Sequence, residues 1–335
     1  MTKSILHNLT SPPRAGRSEL YRWCDYIELR CLTHIDSRFS RDAFAEAIEE
    51  TRDTSVDIDP LAIDTEEDGP IHPEGVDAEK DVEEETAANF FKHFRWREGA
   101  FGPAWPFSLD PHANEIRLKG ELQPIHYLYL NLLLAASLRY SPKARWRDMT
   151  GRFERLSLSI FRKLMPAGAQ VHAFGAAEGE RYRGHLYNRL QELCRDIRGQ
   201  LHLKPAHFAK NDAGDGGLDI VAWHDLGDQR DHIPISFAQC GCTADGWPNK
   251  MLEASPDKLA GNLHIQHPWA TYYFMPLDLG TEIDGCMDWQ FKHDMGRAIV
   301  IDRLRLTHLA DEAELADQEL IGVGPVNEAR ALAVT

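Results

Sequence analysis

The sequence predicts a mixed α/β protein in two parts: a mainly α-helical first half, then a half in which strands and helices alternate. Three observations carry this. Apolar residues recur at helical spacing through most of residues 19–165. After about residue 215, short apolar runs bounded by turn residues dominate. Hydrophobic residues make up 43% and charged residues 27% of the 335 residues, which suits folded domains and excludes wholesale disorder.

In chain order, Glu19 to Leu32 reads as a helix whose stripe is Leu20, Cys24, Ile27 and Cys31. Ser40 suits an N-cap for Arg41 to Thr51, with Phe44, Ala45 and Ile48 inward. Thr54 to Asp81 is rich in acid, proline and glycine and reads as an acidic linker. Asp81 to Trp96 is the next helix, with Ala88, Phe90, Phe91 and Phe94 inward. Gly99 to Gly120 suits a loop with a small hairpin. Pro124 stands where a helix can begin, and Ile125 to Leu138 is apolar almost all round, so this helix is central. Arg145 to Met165 buries Phe153, Leu156, Ile160, Phe161 and Leu164 and turns its arginines outward. Pro166-Ala167-Gly168 stops it and places a boundary near residue 170, giving domains 1–170 and 171–335.

The second half opens with a helix over Glu178 to Leu201, its stripe Tyr182, Leu186, Leu190, Leu193 and Ile197. Strands are expected at Leu218–Trp223, Ile233–Cys240, Ala270–Leu277 and Arg297–Ile301. A helical segment over Lys250–Leu259 falls between the second and third, with Pro256 splitting it and Ser255 capping the later part. That order is an α/β sandwich pattern.

Composition excludes several classes. Residues 1–17 lack the apolar stretch of a secretory signal. The most apolar run, Ile125 to Tyr140, is too short and too polar to span a membrane. Six cysteines without a pairing rhythm suit a reducing cytoplasm. The net charge of −16 argues against a polyanionic ligand, but the charge is uneven. Asp36 to Glu98 holds 20 acidic and 7 basic residues, whereas Arg139 to Lys210 holds 15 basic and 6 acidic. A local positive face is what a nucleic acid requires.

The chemistry centres on Asn211-Asp212-Ala213-Gly214-Asp215-Gly216-Gly217-Leu218-Asp219, which delivers one aspartate onto an apolar strand. The next strand ends in Gln239-Cys240. Two adjacent strands that each place an oxygen donor at one sheet end suit a hard cation such as Mg²⁺. Glycines before Asp219 let the backbone turn sharply and approach a phosphate. Glu192, on the preceding helix, offers a second carboxylate, with Glu180 and Asp196 as rivals. Cys240-Gly241-Cys242 lacks a second pair for zinc, and the Asn211–Gly216 loop lacks the closing glutamate of a calcium loop.

Gly214-Asp215-Gly216-Gly217-Leu218-Asp219 with Gln239-Cys240 resembles the PD-(D/E)XK, or restriction-endonuclease-like, superfamily, and its Mrr-like branch in particular, which has Gln at the acidic position. The likeness covers roughly Glu178 to Leu304. It implies an αβββαβ core and Mg²⁺- or Mn²⁺-dependent cleavage of DNA, with Asp219, Gln239 and Glu192 as metal ligands and catalytic residues. It also implies a restriction or anti-phage role, with a defence-system ATPase or sensor as protein partner. Double-strand cutting by one site per chain favours a homodimer. The family's lysine is absent: its position is Gly241. Lys250, at the start of the next helix, is the substitute, with Lys258 second. The alternative is a catalytically inactive, nuclease-fold DNA-binding or scaffold subunit. The acidic first half suits a docking or autoinhibitory surface.

Overall fold

The computed structural model describes residues 4–7, 9, 11–13, 19–40, 43, 76–110, 114–175, 181–209, 214, 216–296, 298–315 and 322–334; of residues 76–87 it describes the backbone path. Mixed α/β architecture is present as expected. Two compact units divide the chain: Met1–Leu122 with Arg139–Pro142 and Gly324–Thr335, and Gln123–Leu138 with Lys143–Val323. The division is therefore not a single cut near residue 170. The two helices before residue 170 belong with the second unit because their apolar stripes pack within it.

In the first unit, α1 (Leu20–Thr33) is buried nearly all round, Asp25 and Glu28 included. Those two acids are inward because α2 (Val76–Phe101) sends Arg97 between them. Arg97 donates to Asp25 Oδ1 at 2.9 Å and lies 2.9 Å from Glu28 Oε1, while Trp105 Nε1 donates to Glu28 at 3.0 Å. A buried charge needs such compensation. The second helix starts at Val76, earlier than Asp81, so the end of the expected linker is helical. Phe90 and Phe94 are buried as expected, Ala88 is exposed, and His93 and Arg97 complete the inward stripe. Strands β1 (Arg38–Ser40), β2 (Phe107–Asp110) and β3 (Glu115–Leu118) form an antiparallel sheet in the order β1-β3-β2, with the expected hairpin as its last two members. The helix expected over Arg41–Thr51 and the linker up to residue 75 lie outside the described residues. Ala43 is the exception: its N–H donates to Ser40 Oγ at 3.3 Å, as an N-cap requires.

In the second unit, α3 (Pro124–Ala136) begins at its proline as expected, and the Gln123 N–H donates to His126 Nδ1 at 2.9 Å. Next come α4 (Lys143–Leu164) and β4 (Gln170–Ala173). The following helix, α5 (Leu186–Asp196), is shorter than expected. Gly184 at φ 83° breaks the chain before it, and His185 caps it by accepting the Tyr187 N–H. Arg198 at φ 57° ends it. Then follow β5 (Gln200–Leu201), β6 (Ile220–Trp223) and β7 (Ile235–Cys240). Two short helices, α6 (Trp247–Lys250) and α7 (Pro256–Leu259), are separated at Pro256, with Ser255 as the later N-cap, as expected. After them come β8 (Leu263–His264), β9 (Ala270–Phe274), the hairpin β10 (Gly280–Ile283) and β11 (Cys286–Trp289), β12 (Ile299–Ile301) and α8 (Arg303–Glu312).

The main sheet has the order β12-β9-β7-β6-β4. β4, β6 and β7 run antiparallel, and β7, β9 and β12 run parallel. Helix α4 covers one face, with Phe161 edge-on to Tyr272 and Phe274 at 5.0 and 5.9 Å. On the other face Leu186, Leu190 and Leu193 join Val221, Phe237, Leu259 and Trp269 in one core. Among the described residues, no helix is long and apolar enough to cross a membrane.

Candidate functional site

The glycine turn makes the expected sharp bend. Gly216 and Gly217 have φ of 65° and 84°, a region open to glycine and costly for other residues. At Gly217 a Cβ would also stand 3.1 Å from the Glu253 carbonyl oxygen, so conformation and space both require glycine. Arg189, from α5, holds the turn: it donates to the carbonyl of Gly214 and, at 2.6 Å, to that of Phe174.

Asp219 leaves this turn at the start of β6 and is only 9% exposed. It joins three strands. Its N–H donates to Ala238 O at 3.1 Å, its carbonyl accepts the Phe174 N–H at 2.7 Å, and its Oδ2 accepts the Cys240 N–H at 2.7 Å. Charge-assisted bonds of this last kind fix a carboxylate's direction. The Cβ position of Gly175 lies 3.4 Å from Asp219 Oδ1, so the residue after β4 is small where the carboxylate needs room.

Gln239 stands one step beyond the Ile220↔Ala238 pair, opposite Asp219, and is in register with Tyr273 on β9. Gln239 and Tyr273 are 2% and 0% exposed. Neither Gln239 Oε1 nor Tyr273 Oη has a hydrogen-bond partner among the described residues. A buried polar atom without a partner calls for an explanation, such as a bound ion or water. Gly241 explains why no lysine stands there. A Cβ at 241 would lie 2.1 Å from Tyr273 Oη and 3.3 Å from Lys250 Cδ. The space that a side chain at 241 would enter is filled by the tyrosine hydroxyl and the lysine stem. Lys250 is half-buried at the end of α6, whereas Lys258 is exposed on α7.

The electrostatics bring in a further charge. Burial pushes the Cys240 and Cys242 thiols well above their ordinary range, so neither is a thiolate nucleophile. After burial, the Asp219 and Glu154 charges raise Cys240; Glu154 and then Asp219 raise Cys242, while Lys250 opposes them. Glu154, Asp219 and Lys250 therefore act on one strand end. Glu154 lies on α4, the helix that precedes the three antiparallel strands. Sequence reasoning chose Glu192 because α5 directly precedes the glycine turn. Among the described contacts none joins Glu192 to Asp219, Gln239 or Lys250. Asp196 is engaged by Arg181 and by Tyr182, whose hydroxyl donates to it at 2.6 Å. Glu180 lies outside the described residues.

Burial first, then the neighbouring Cys242, Cys240, Glu253 and Asp219, pushes the Tyr273 phenol far up, so it stays protonated. Among the described residues, no three His, Cys, Asp or Glu side chains group as ligands of a metal ion. The donors that suit a hard cation are the Asp219 carboxylate and the buried, partnerless Gln239 amide oxygen. Comparison with family models, with curated proteins and with solved structures gives no match.

Proposed function

We propose that the chain is a metal-dependent nuclease that hydrolyses DNA phosphodiester bonds, with an αβββαβ core of the restriction-endonuclease type. One observation carries this reading: Asp219 faces Gln239 across two antiparallel strands while Lys250 reaches the 241 position from the next helix. The sheet order supports it, with α4 as the first helix, β4, β6 and β7 as the antiparallel strands, α6 and α7 as the second helical part and β9 as the parallel strand; α5 and β5 are inserted between β4 and β6.

Asp219 and Gln239 would hold Mg²⁺ or Mn²⁺, with Glu154 as the nearby helix carboxylate and Glu192 the alternative. A bound cation supplies charge neutralisation at the phosphate and lowers the pKa of a bound water. The chain's own residues do the rest. Asp219 is aimed by the Cys240 N–H, the glycine turn lets backbone approach a phosphate, and Lys250 brings a positive charge to the developing negative charge. The basic segment from Arg139 to Lys210 would meet the DNA backbone. A role as a defence effector, a partner ATPase or sensor, and a homodimer follow from the family likeness. Gly241 favours a second reading, a catalytically silent DNA-binding subunit.

Plasmid cleavage with Mg²⁺ tests the first reading. Wild type should cut and Asp219→Ala should not. Lys250→Ala should lose at least about a hundredfold in rate, the usual scale for one electrostatic group at a transition state. A wild-type chain that never cuts, alone or with candidate partners, refutes the enzyme.

A further inference from the structure

We propose that Tyr273 is a positioning residue for Lys250. Its hydroxyl forms a seat that aims the Lys250 ammonium at a bound phosphodiester, and Gly241 keeps that seat open. The proposal rests on the nuclease reading.

The strands set up the seat. Gln239 and Tyr273 are register partners on parallel strands, so both side chains rise from one face of the sheet. Residue 241 is on that face too, two positions along β7's path. Tyr273 Oη and Lys250 Cδ both approach the point where its Cβ would be, at 2.1 and 3.3 Å. The ammonium is two bonds beyond Cδ, so rotation about the last torsions of Lys250 would carry it toward Tyr273 Oη, a bond not made in this structure. An ammonium has three donors and no acceptor, and Tyr273 Oη is a buried oxygen without a partner among the described residues. One donor can rest on that oxygen while another faces a phosphate oxygen, which leaves the Gln239 amide oxygen to the cation. A lysine rooted at 241 would need no seat, because the pleat of the strand would aim it. A lysine arriving from a four-residue helix does.

Tyr273→Phe keeps the ring and removes only the oxygen. A purely structural tyrosine would lose stability and activity together. A seat separates the two. Hydrogen exchange of the β7 and β9 amides should stay at the wild-type level, because the ring and its packing remain. The kcat for plasmid cleavage should fall about tenfold with KM unchanged, the scale of one hydrogen bond to a charged group.

A second measurement does not depend on cleavage. Acylation of Lys250 by an N-hydroxysuccinimide ester, read by peptide mass spectrometry against exposed Lys258, should quicken several-fold in Tyr273→Phe. Unchanged kcat and unchanged acylation overturn the proposal. A chain that cuts no DNA but shows faster Lys250 acylation supports the seat and refutes the nuclease reading.

Discussion

Gly241→Lys should damage this protein. The added Cβ alone would meet Tyr273 Oη at 2.1 Å and Cζ at 2.9 Å, where carbon needs about 3.5 Å. The ring would have to retreat by more than about 1 Å, and Tyr273 is fully buried between packed strands. Overpacking of this kind costs about 1–3 kcal/mol. The upper part of that range applies, because the obstructing atoms belong to a rigid ring. Gly241→Ala isolates this steric cost from the charge, and pairing it with Tyr273→Phe removes the closer atom. The two substitutions should couple by about 1–2 kcal/mol in a double-mutant cycle, because each acts on the same space. Hydrogen exchange of β7 and β9 amides, read by mass spectrometry, suits a chain of two units, where one global unfolding midpoint is not well defined. If the proposed nuclease reading holds, cleavage by Gly241→Lys should fall below wild type despite the added lysine. A Gly241→Lys chain with wild-type protection of β7 and faster cleavage would refute the reasoning.

Two further outcomes follow from buried charges. Burial, and then the Asp278 charge, raise the Asp302 carboxyl to about 7, so the folded chain keeps a proton that the unfolded chain releases near pH 4. Stability should therefore fall as pH rises from about 4 to about 7 and level off above, by at most on the order of 4 kcal/mol. Asp302→Asn should flatten that slope in urea titrations across the window, and an unchanged slope counts against the assignment. In the first unit, Arg97→Met leaves Asp25 and Glu28 buried without their arginine and should cost about 3–5 kcal/mol, read by hydrogen exchange of α1. Wild-type exchange would show that the acids are satisfied by other means.

The sequence made the local features legible. A glycine pair before an apolar run announced the Asp219 turn, and Ser255-Pro256 announced a capped helix start, because both effects act within a few residues. Gln239 was legible for the same reason. The cross-sheet contacts were not. Glu192 drew attention by standing near the turn in sequence, whereas Glu154 influences the strand end from a helix about 65 residues before Asp219. Strand β4 escaped notice because Gln170-Val171-His172-Ala173 is short and polar at an edge. Its pairing with β6, and His172 stacked on Trp223 at 5.2 Å, hold it there. Tyr273 read as one more strand aromatic, since only register shows that it shares a face with Gln239. The domain boundary slipped because Pro166-Ala167-Gly168 ends a helix without ending a unit.

The choice between an active nuclease and a silent subunit turns on what the buried polar atoms cost. A scaffold needs the sheet and nothing more at this strand end. Leucine for Gln239 and phenylalanine for Tyr273 would fill the same volume without a partnerless amide oxygen or hydroxyl. Each such buried atom costs roughly 1–3 kcal/mol. The same strand end holds Asp219, aimed by a backbone N–H, Gly217, with no room for a side chain, and the Lys250 stem beside Gly241. Costly buried atoms beside an aimed carboxylate are what the proposed enzyme needs and a scaffold does not. In the proposed reading the decisive contact is then Lys250: without it seated, Asp219 and Gln239 would hold a cation at a phosphate but bring no positive charge of the chain's own to the reaction.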